Sequence, residues 1–335
     1  MSSVQRAVVL GSGSWGTTFA KVLADAGHEV TIWARRPEVA NEINESHRNT
    51  GYLPGIDLPR NLRATPDLVE AVRGQHFVFV SVPAQTAREL AGQLATLIDD
   101  DAVVVSLMKG VERSSGLRMS QVLTGVLDLP AERIAVASGP NIALEIAKEQ
   151  PTAIVVASDS EATAVSVAKL ARNGYLKSFV NVDVVGTEFG GVLKNLIAIA
   201  VGIVDGVGYG ENTKASVMTR GLAEISDFAV AMGAQASTMI GLAGLGDLIA
   251  TCESPLSRNF TAGRLLGQGY VYDDVVAQMQ QTAEGLRSVG AILELAERHG
   301  VDMPIATQID DVLHGRMSPA DLAPHLATDD GPSGE

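Results

Sequence analysis

Only one cysteine, Cys252, occurs in the 335 residues, so no disulfide can form within the chain and a reducing compartment is expected. It has neither a C-x-x-C partner nor a nearby histidine, which reads as an inert buried thiol. Positive charge is also scarce. The 25 Lys and Arg face 39 Asp and Glu, a net charge of -14, opposite to the basic footprint that nucleic acid attracts. No nucleic-acid partner is expected. Residues 1–10 lack the basic start and long apolar stretch of a secretory leader, which favours the cytoplasm. The longest apolar stretch, 196–204, falls short of the roughly 20 residues that cross a bilayer and is flanked by Lys194 and Asp205, so no membrane insertion is expected. His28, His47, His76, His299, His314 and His325 show no i, i+4 or cysteine-paired spacing, and no metal site is expected.

What is present is an ordinary globular composition, 46% hydrophobic and 19% charged, long enough at about 150 residues per domain for two cores. Short β-rich apolar runs stand at 7–10, 30–33, 77–80, 103–105, 134–137 and 154–156, with helical patterns between several of them. That alternation predicts a doubly wound, mainly parallel α/β sheet. Beyond Thr187 the strand-like runs stop and Ala- and Leu-rich segments take over, notably 190–204, 215–232, 262–266 and 289–297. The expectation is an α/β domain over 1–185, an all-α domain over 186–326, and a disordered tail at 327–335 rich in Asp, Gly, Pro and Ser.

Gly11-Ser12-Gly13-Ser14-Trp15-Gly16 is a G-x-G-x-x-G that follows the first apolar run and opens a helix whose Phe19, Val22, Leu23 and Ala26 share one face. The first glycine permits a tight turn, the second lets backbone approach a pyrophosphate, and the third lets helix and strand pack closely. The helix N-terminus then offers free N–H groups to the anion. NAD-specific proteins place a carboxylate about 20 residues further on, to accept from the ribose 2′-hydroxyl. Here the second run ends Trp33-Ala34-Arg35-Arg36, cations suited to a 2′-phosphate, which favours NADP(H). Glu38 leaves NAD(H) possible.

In the second half, Lys194 lies in an otherwise apolar helical stretch. Two readings stay open: the ammonium snorkels to solvent, or desolvation and neighbouring cations tune it to exchange a proton with a substrate hydroxyl. Met108-Lys109-Gly110, Ser138-Gly139-Pro140-Asn141 and Ser257-Arg258-Asn259 gather polar groups that suit an oxyanion, Arg258 through two parallel donors. Each has a plainer reading as well. Ser257, Asn259 and Asp247 can cap helices, Gly139-Pro140 can be a turn, and Lys109 a solvated charge.

Taken in order, these segments resemble the bacterial-type NAD(P)-dependent glycerol-3-phosphate dehydrogenases over nearly the whole chain. Gly190-Gly191-Val192-Leu193-Lys194-Asn195, Ala243-Gly244-Leu245-Gly246-Asp247-Leu248 and Glu284-Gly285 join the motifs above. Two departures are Ile142, where an aromatic residue is frequent, and Ala283, where valine is common. The resemblance implies that the first domain is a Rossmann domain and the second a helical substrate domain, paired in a homodimer that reduces dihydroxyacetone phosphate to sn-glycerol 3-phosphate for glycerophospholipid synthesis. It implies Lys194 as proton acceptor, with Asp247 and Lys109 also catalytic. Lys109, Gly139, Asn141, Lys194, Asp247, Ser257, Arg258 and Asn259 would touch substrate. Gly11, Gly13, Ser14, Trp15, Gly16, Arg35, Arg36, Lys109, Ala143, Arg258 and Glu284 would touch the dinucleotide.

Two rivals stand beside it: another two-domain NADP-dependent dehydrogenase acting on hydroxyacids or ketopantoate, and a non-catalytic NADPH redox sensor. The anionic ligands also sharpen the charge argument. In a chain of net charge -14, Arg35, Arg36, Lys109, Lys194 and Arg258 are expected to concentrate positive charge locally while the acidic excess lies on the outer surface.

Overall fold

A computed structural model of the chain describes residues 4–99, 101–279 and 283–322; the 327–335 segment lies outside them. Eight strands form one sheet: β1 (Arg6–Leu10), β2 (Glu29–Trp33), β3 (Leu62–Thr65), β4 (Phe77–Val80), β5 (Val103–Ser106), β6 (Ile134–Ser138), β7 (Thr152–Ala157) and β8 (Leu176–Asn181). Their order is β3-β2-β1-β4-β5-β6-β7-β8. Every neighbouring pair is parallel except β6–β7. Between them run α1 (Ser14–Asp25), α2 (Pro37–Ser46), α3 (Leu68–Val72), α4 (Ala87–Leu94), α5 (Met119–Leu127), α6 (Ala143–Ala147) and α7 (Glu161–Ala171). The chain then becomes helical: α8 (Val184–Val207), α9 (Glu211–Ala231), α10 (Ala236–Met239), α11 (Asp247–Glu253), α12 (Arg258–Gly267), α13 (Tyr272–Gln278), α14 (Glu284–His299) and α15 (Pro304–Leu313). This is the expected α/β Rossmann architecture followed by helices. Two compact units result, one running to Glu112 and over Leu117–Thr187, the other comprising Arg113–Gly116 and the chain from Glu188 onward.

In the first unit alternate β1 residues serve opposite cores. Ala7 and Val9 join Phe19, Leu23 and Ile32 on one face, while Val8 and Leu10 join Val78, Leu90 and Leu123 on the other. Burial on both faces makes the inner strands read as continuous apolar runs. Each such Val, Leu or Phe contributes about 1.5–3 kcal/mol on burial. The edge strands lack this signature, since β3 is Leu-Arg-Ala-Thr and β8 is Leu-Lys-Ser-Phe-Val-Asn with one fully buried residue, so the apolar runs pass over both. The strand order reverses between β1 and β4, the switch point at whose carboxyl ends ligands bind in open α/β sheets. His28, beside this sheet at the start of β2, is buried; its Nδ1 accepts from Gln5 N at 3.3 Å, and burial lowers its pKa below 6.5.

The second unit is built around α8, which runs well beyond the expected 190–204. The expected 190–204 stretch already included Lys194, and Asp205, one residue past it, also lies inside the helix. By length and composition it could cross a membrane, yet 83% of its most apolar window is buried in the fold, as befits a core helix. Its packing against α12 is unusually close. A Cβ on Gly202 would stand 2.2 Å from the Phe260 carbonyl oxygen, and one on Gly206 would stand 2.2 Å from that of Arg264. Reciprocally, a Cβ on Gly263 would meet the Ile199 oxygen at 2.1 Å, and one on Gly267 the Ile203 oxygen at 2.3 Å. Two G-x-x-x-G stripes thus bring the helix backbones into contact. Elsewhere, buried Glu224 of α9 accepts from the backbone N–H groups of Ile305 and Ala306 at 2.8 and 3.0 Å, which caps α15. Burial pushes its carboxyl up to about 7, and the two N–H donors pull the other way.

Candidate active site

At the carboxyl end of β1 the glycines are fixed by sterics. Gly11 adopts φ +121°, and a Cβ there would lie 2.2 Å from the Ser81 carbonyl oxygen, which follows β4. A Cβ on Gly16 would lie 2.1 Å from the Gly11 oxygen. Gly13 is different. Nothing lies within 4 Å of an added Cβ, so its backbone borders open space just where α1 begins. A turn closed at Gly11 and Gly16 and open at Gly13, at a helix N-terminus, fits the pyrophosphate of a dinucleotide.

Around this turn the expected contact residues take definite places. Ser14 Oγ donates to the Tyr52 carbonyl at 2.9 Å. Trp15 stacks edge-on against Phe19 at 5.5 Å, and its buried Nε1 has no protein partner among the described residues. Arg35 and Arg36 are exposed beyond β2. The Arg36 guanidinium stands 5.6 Å from the centre of the Tyr52 ring and its Nε is 3.8 Å from Glu38 Oε1, so Glu38 is engaged with the arginine. Lys109 Nζ donates to the Gly139 carbonyl at 3.2 Å, Gly139 having φ +128°. The two side-chain amide atoms of Asn141 are buried without a partner among the described residues, which leaves hydrogen-bonding capacity for a ligand. Ala143 opens α6 and accepts at its carbonyl from Thr18 Oγ1 at 3.2 Å.

In the second unit a buried charge pair dominates. Lys194 Nζ donates to Asp247 Oδ1 at 2.7 Å and to Thr251 Oγ1 at 2.5 Å, with side-chain exposures of 8% for the lysine and 2% for the aspartate. Snorkelling to solvent is therefore not what Lys194 does. Its hydrogen-bond partners among the described residues are a carboxylate and a hydroxyl, where the sequence reading supposed cations. The local reason lies one helical turn earlier. A Cβ on Gly190 would stand 2.4 Å from the Ala243 oxygen, so only glycine lets α8 approach the π-helical turn Leu242–Gly246 this closely. Lys194, four residues on along the same face, then meets Asp247 at the start of α11. Thr251, one turn along α11, was not among the sequence candidates. Its hydroxyl is 2.6 Å from the Asp247 carbonyl, to which it donates, leaving its lone pairs for Lys194. A D-x-x-x-T spacing from Asp247 was the only signal, and it is indistinguishable from any helical threonine. Next to it, Cys252 is buried and its thiol is pushed up to about 12, first by burial.

Ser257 caps α12, its Oγ accepting from Phe260 N at 3.2 Å. Asn259 works as a bridge: Nδ2 donates to Asn195 Oδ1 at 2.9 Å, and Oδ1 accepts from Gly285 N at 3.0 Å. Its amide thus ties α8, α12 and α14 together. Arg258, between them, is exposed at the first turn of α12, yet enough protein surrounds it that desolvation lowers its pKa against the opposing pull of Glu284 at the head of α14. An arginine so shifted remains a cation. Among the described residues no group of three or more His, Cys, Asp or Glu is placed to hold a metal ion.

Comparison with known proteins bears on the same two units. The family description "NAD-dependent glycerol-3-phosphate dehydrogenase N-terminus" matches residues 6–164, and "NAD-dependent glycerol-3-phosphate dehydrogenase C-terminus" matches residues 183–324. A glycerol-3-phosphate dehydrogenase [NAD(P)+] of Leifsonia xyli subsp. xyli is 65% identical over 327 residues, 98% of this chain and 89% of that one. One of Streptomyces griseus subsp. griseus is 52% identical over 319 residues, 95% of each chain. The crystal structure of a glycerol-3-phosphate dehydrogenase from Coxiella burnetii superposes with a TM-score of 0.92 at 31% identity, covering 97% of this chain and 99% of that one. With its glycine turn, its buried Lys194–Asp247 pair and these matches over both units, the chain belongs to the NAD-dependent glycerol-3-phosphate dehydrogenase family.

Proposed function

We propose that the chain interconverts dihydroxyacetone phosphate and sn-glycerol 3-phosphate with NAD(P)(H). The observation that carries the reading is Lys194 Nζ, buried and held by Asp247 Oδ1 and Thr251 Oγ1 in the unit that also presents Arg258. When bound, a reduced nicotinamide dinucleotide supplies the hydride. Lys194 Nζ gives a proton to the ketone oxygen as it becomes a hydroxyl, and takes that proton back in the reverse direction. Asp247 and Thr251 keep the ammonium group in one place, which fixes the direction of the transfer. Arg258 holds the substrate phosphate through paired N–H donors, at a helix N-terminus that adds favourable polarity for an anion. In the first unit, the Gly11–Gly16 turn takes the pyrophosphate, and Ser14, Trp15, Arg35, Arg36, Lys109 and Ala143 surround the rest of the dinucleotide. Gly139 and Asn141 offer polar groups to substrate.

NADP(H) is the preferred dinucleotide in this reading, because the exposed arginines after β2 suit a 2′-phosphate and Glu38 is engaged with Arg36. The product feeds glycerophospholipid synthesis, and the enzyme works as a cytoplasmic homodimer. The deciding experiment follows NADPH oxidation with dihydroxyacetone phosphate, with the unphosphorylated ketone, and with ketopantoate. Turnover confined to the phosphorylated ketone supports the proposal. Turnover with a carboxylate substrate alone overturns it in favour of a hydroxyacid-type enzyme, and binding of NADPH without any turnover favours a sensor.

A further inference from the structure

Asn49 lies outside the glycine motif, in the loop after α2, and is only 1% exposed. Its Nδ2 donates to the Ser12 carbonyl at 2.9 Å and to Thr17 Oγ1 at 2.8 Å. Thr17, fully buried, donates through Oγ1 to the same Ser12 carbonyl at 3.2 Å. A carbonyl oxygen can only accept, so the amide nitrogen must be the atom that faces it. The loop is held in place by its own main chain, Tyr52 N and Leu53 N reaching the Asn49 carbonyl at 3.1 and 2.8 Å. Asn49 Oδ1, in contrast, is buried with no partner among the described residues. A buried acceptor left unsatisfied is costly. A residue retained only to fill that space could avoid the cost, so the value of Asn49 lies in what its nitrogen holds.

What it holds is one peptide plane. The Ser12–Gly13 peptide is planar and trans, so its C=O and its N–H point in opposite directions. With the Ser12 carbonyl fixed toward Asn49 and Thr17, the Gly13 N–H is turned away from them, at the glycine whose added Cβ would meet nothing within 4 Å. Were this peptide to flip, an oxygen would replace the donor and repel an anion.

We infer that Asn49, assisted by Thr17, is a positioning residue for the dinucleotide: it locks the Ser12–Gly13 peptide so that the Gly13 N–H is presented to the pyrophosphate. The inference rests on the proposed reading of the first unit as the dinucleotide site. Asn49 touches the turn and not the ligand, so its removal acts on coenzyme affinity and spares the proton transfer at Lys194.

The test titrates NADPH by fluorescence into the full chain, wild type and variants, alongside steady-state kinetics. Asn49→Ala is expected to weaken NADPH binding roughly tenfold, with kcat at saturating NADPH and the KM for dihydroxyacetone phosphate held within about twofold. Asn49→Asp, which sets a carboxylate oxygen against the Ser12 carbonyl, is expected to be weaker still. Thr17→Val should weaken binding by a few-fold and Thr17→Ser should restore it, and this pair carries the test if Asn49→Ala fails to fold. An unchanged NADPH affinity in folded Asn49→Ala, or in Thr17→Val relative to Thr17→Ser, overturns the inference. So does a parallel loss of kcat and both KM values, the mark of a merely structural residue. Failure of the wild type to bind any nicotinamide dinucleotide would overturn the underlying reading instead.

Discussion

At the end of β1 the group that borders open space belongs to the main chain, whereas the cluster between α8 and α11 is made of buried side chains drawn from distant parts of the sequence. The Gly11–Gly16 turn needs no particular side chain at its open glycine, and its shape follows from three positions where a Cβ does or does not fit. The Lys194–Asp247–Thr251 cluster needs each of its side chains, because an ammonium and a carboxylate withdrawn from water must satisfy one another. The contrast teaches that binding an anion and moving a proton place different demands on a fold. Backbone N–H groups are always present and need only be aimed, but a proton carrier has to be chosen and then held.

The largest expected effect breaks the side-chain half of this comparison. Lys194→Ala should lower kcat/KM by about 10²–10⁴-fold, the span of general acid–base catalysis, while NADPH affinity stays near wild type. Near-normal turnover with an unchanged pH profile would sink the assigned role. The same change takes the ammonium away from the buried Asp247 carboxylate, at a cost of about 3–5 kcal/mol, so a fall in thermal stability should accompany it.

Next comes a pair that separates the two kinds of glycine. Gly11→Ala forces a Cβ into the Ser81 carbonyl at positive φ, and should destabilise the first unit by roughly 1–3 kcal/mol or more. Gly13→Ala meets no protein atom and should leave the melting temperature nearly unchanged while impairing NADPH binding. Equal melting temperatures for the two variants would show that the turn is not sterically closed at Gly11.

A smaller change sharpens the other side. Thr251→Val keeps the shape but deletes the hydroxyl that Lys194 uses, so kcat should fall roughly tenfold with dinucleotide KM unaffected, and Thr251→Ser should restore it. A kcat within experimental error of wild type would assign Lys194 positioning to Asp247 alone.

The last effects lie in how each unit responds to pH, and their signs are opposite. Burial holds His28 below its ordinary 6.5, so the unfolded chain binds the extra proton; its contribution to stability is complete above 6.5 and is lost as pH falls. Glu224 is raised from 4.5 to about 7, so the folded chain binds the proton; its contribution is complete below 4.5 and is lost as pH rises through about 7. Trp15 and Trp33, the two tryptophans of the chain, both lie in the first unit and report its unfolding, while helical circular dichroism weighs the second. Acid should move the tryptophan signal first. Mild alkali should move the helical signal first, by on the order of 3 kcal/mol at most, and Glu224→Gln should flatten that alkaline response. Coincident shifts of both signals at each end would mean that neither group governs its unit.

Much of the first unit was legible in sequence because its information is local. The inner strands are apolar on both faces, and the glycine spacing, the following helix and the basic pair after β2 all fall within 26 residues of Gly11. Polar alternation hid β3 and β8 at the sheet edges. In the second unit helicity was plain, and Lys194 was legible as a cation inside an apolar helical stretch, but what becomes of its ammonium cannot be read until its partner is known. That partner stands 53 positions away, and its capping reading was equally good on local grounds. Thr251 and Asn49 share the same obstacle. Their worth depends on contacts with residues 57 and 37 positions distant, which no periodicity announces.

The two glycine stripes where α8 meets α12 bear on the spacing of the chemistry. Sliding one helix along the other by a single residue would shift it about 1.5 Å and drive a carbonyl oxygen against neighbouring side chains instead of glycines. Lys194 is carried by one of these helices and Arg258 heads the other. The distance along the helix axes from the Lys194 ammonium to the Arg258 guanidinium is therefore ratcheted, with no intermediate setting. An insertion or deletion between Lys194 and Gly202, or between Arg258 and Gly263, must change that spacing by whole steps or dissolve the contact, so this stretch of the unit tolerates exchange of side chains far better than changes in length.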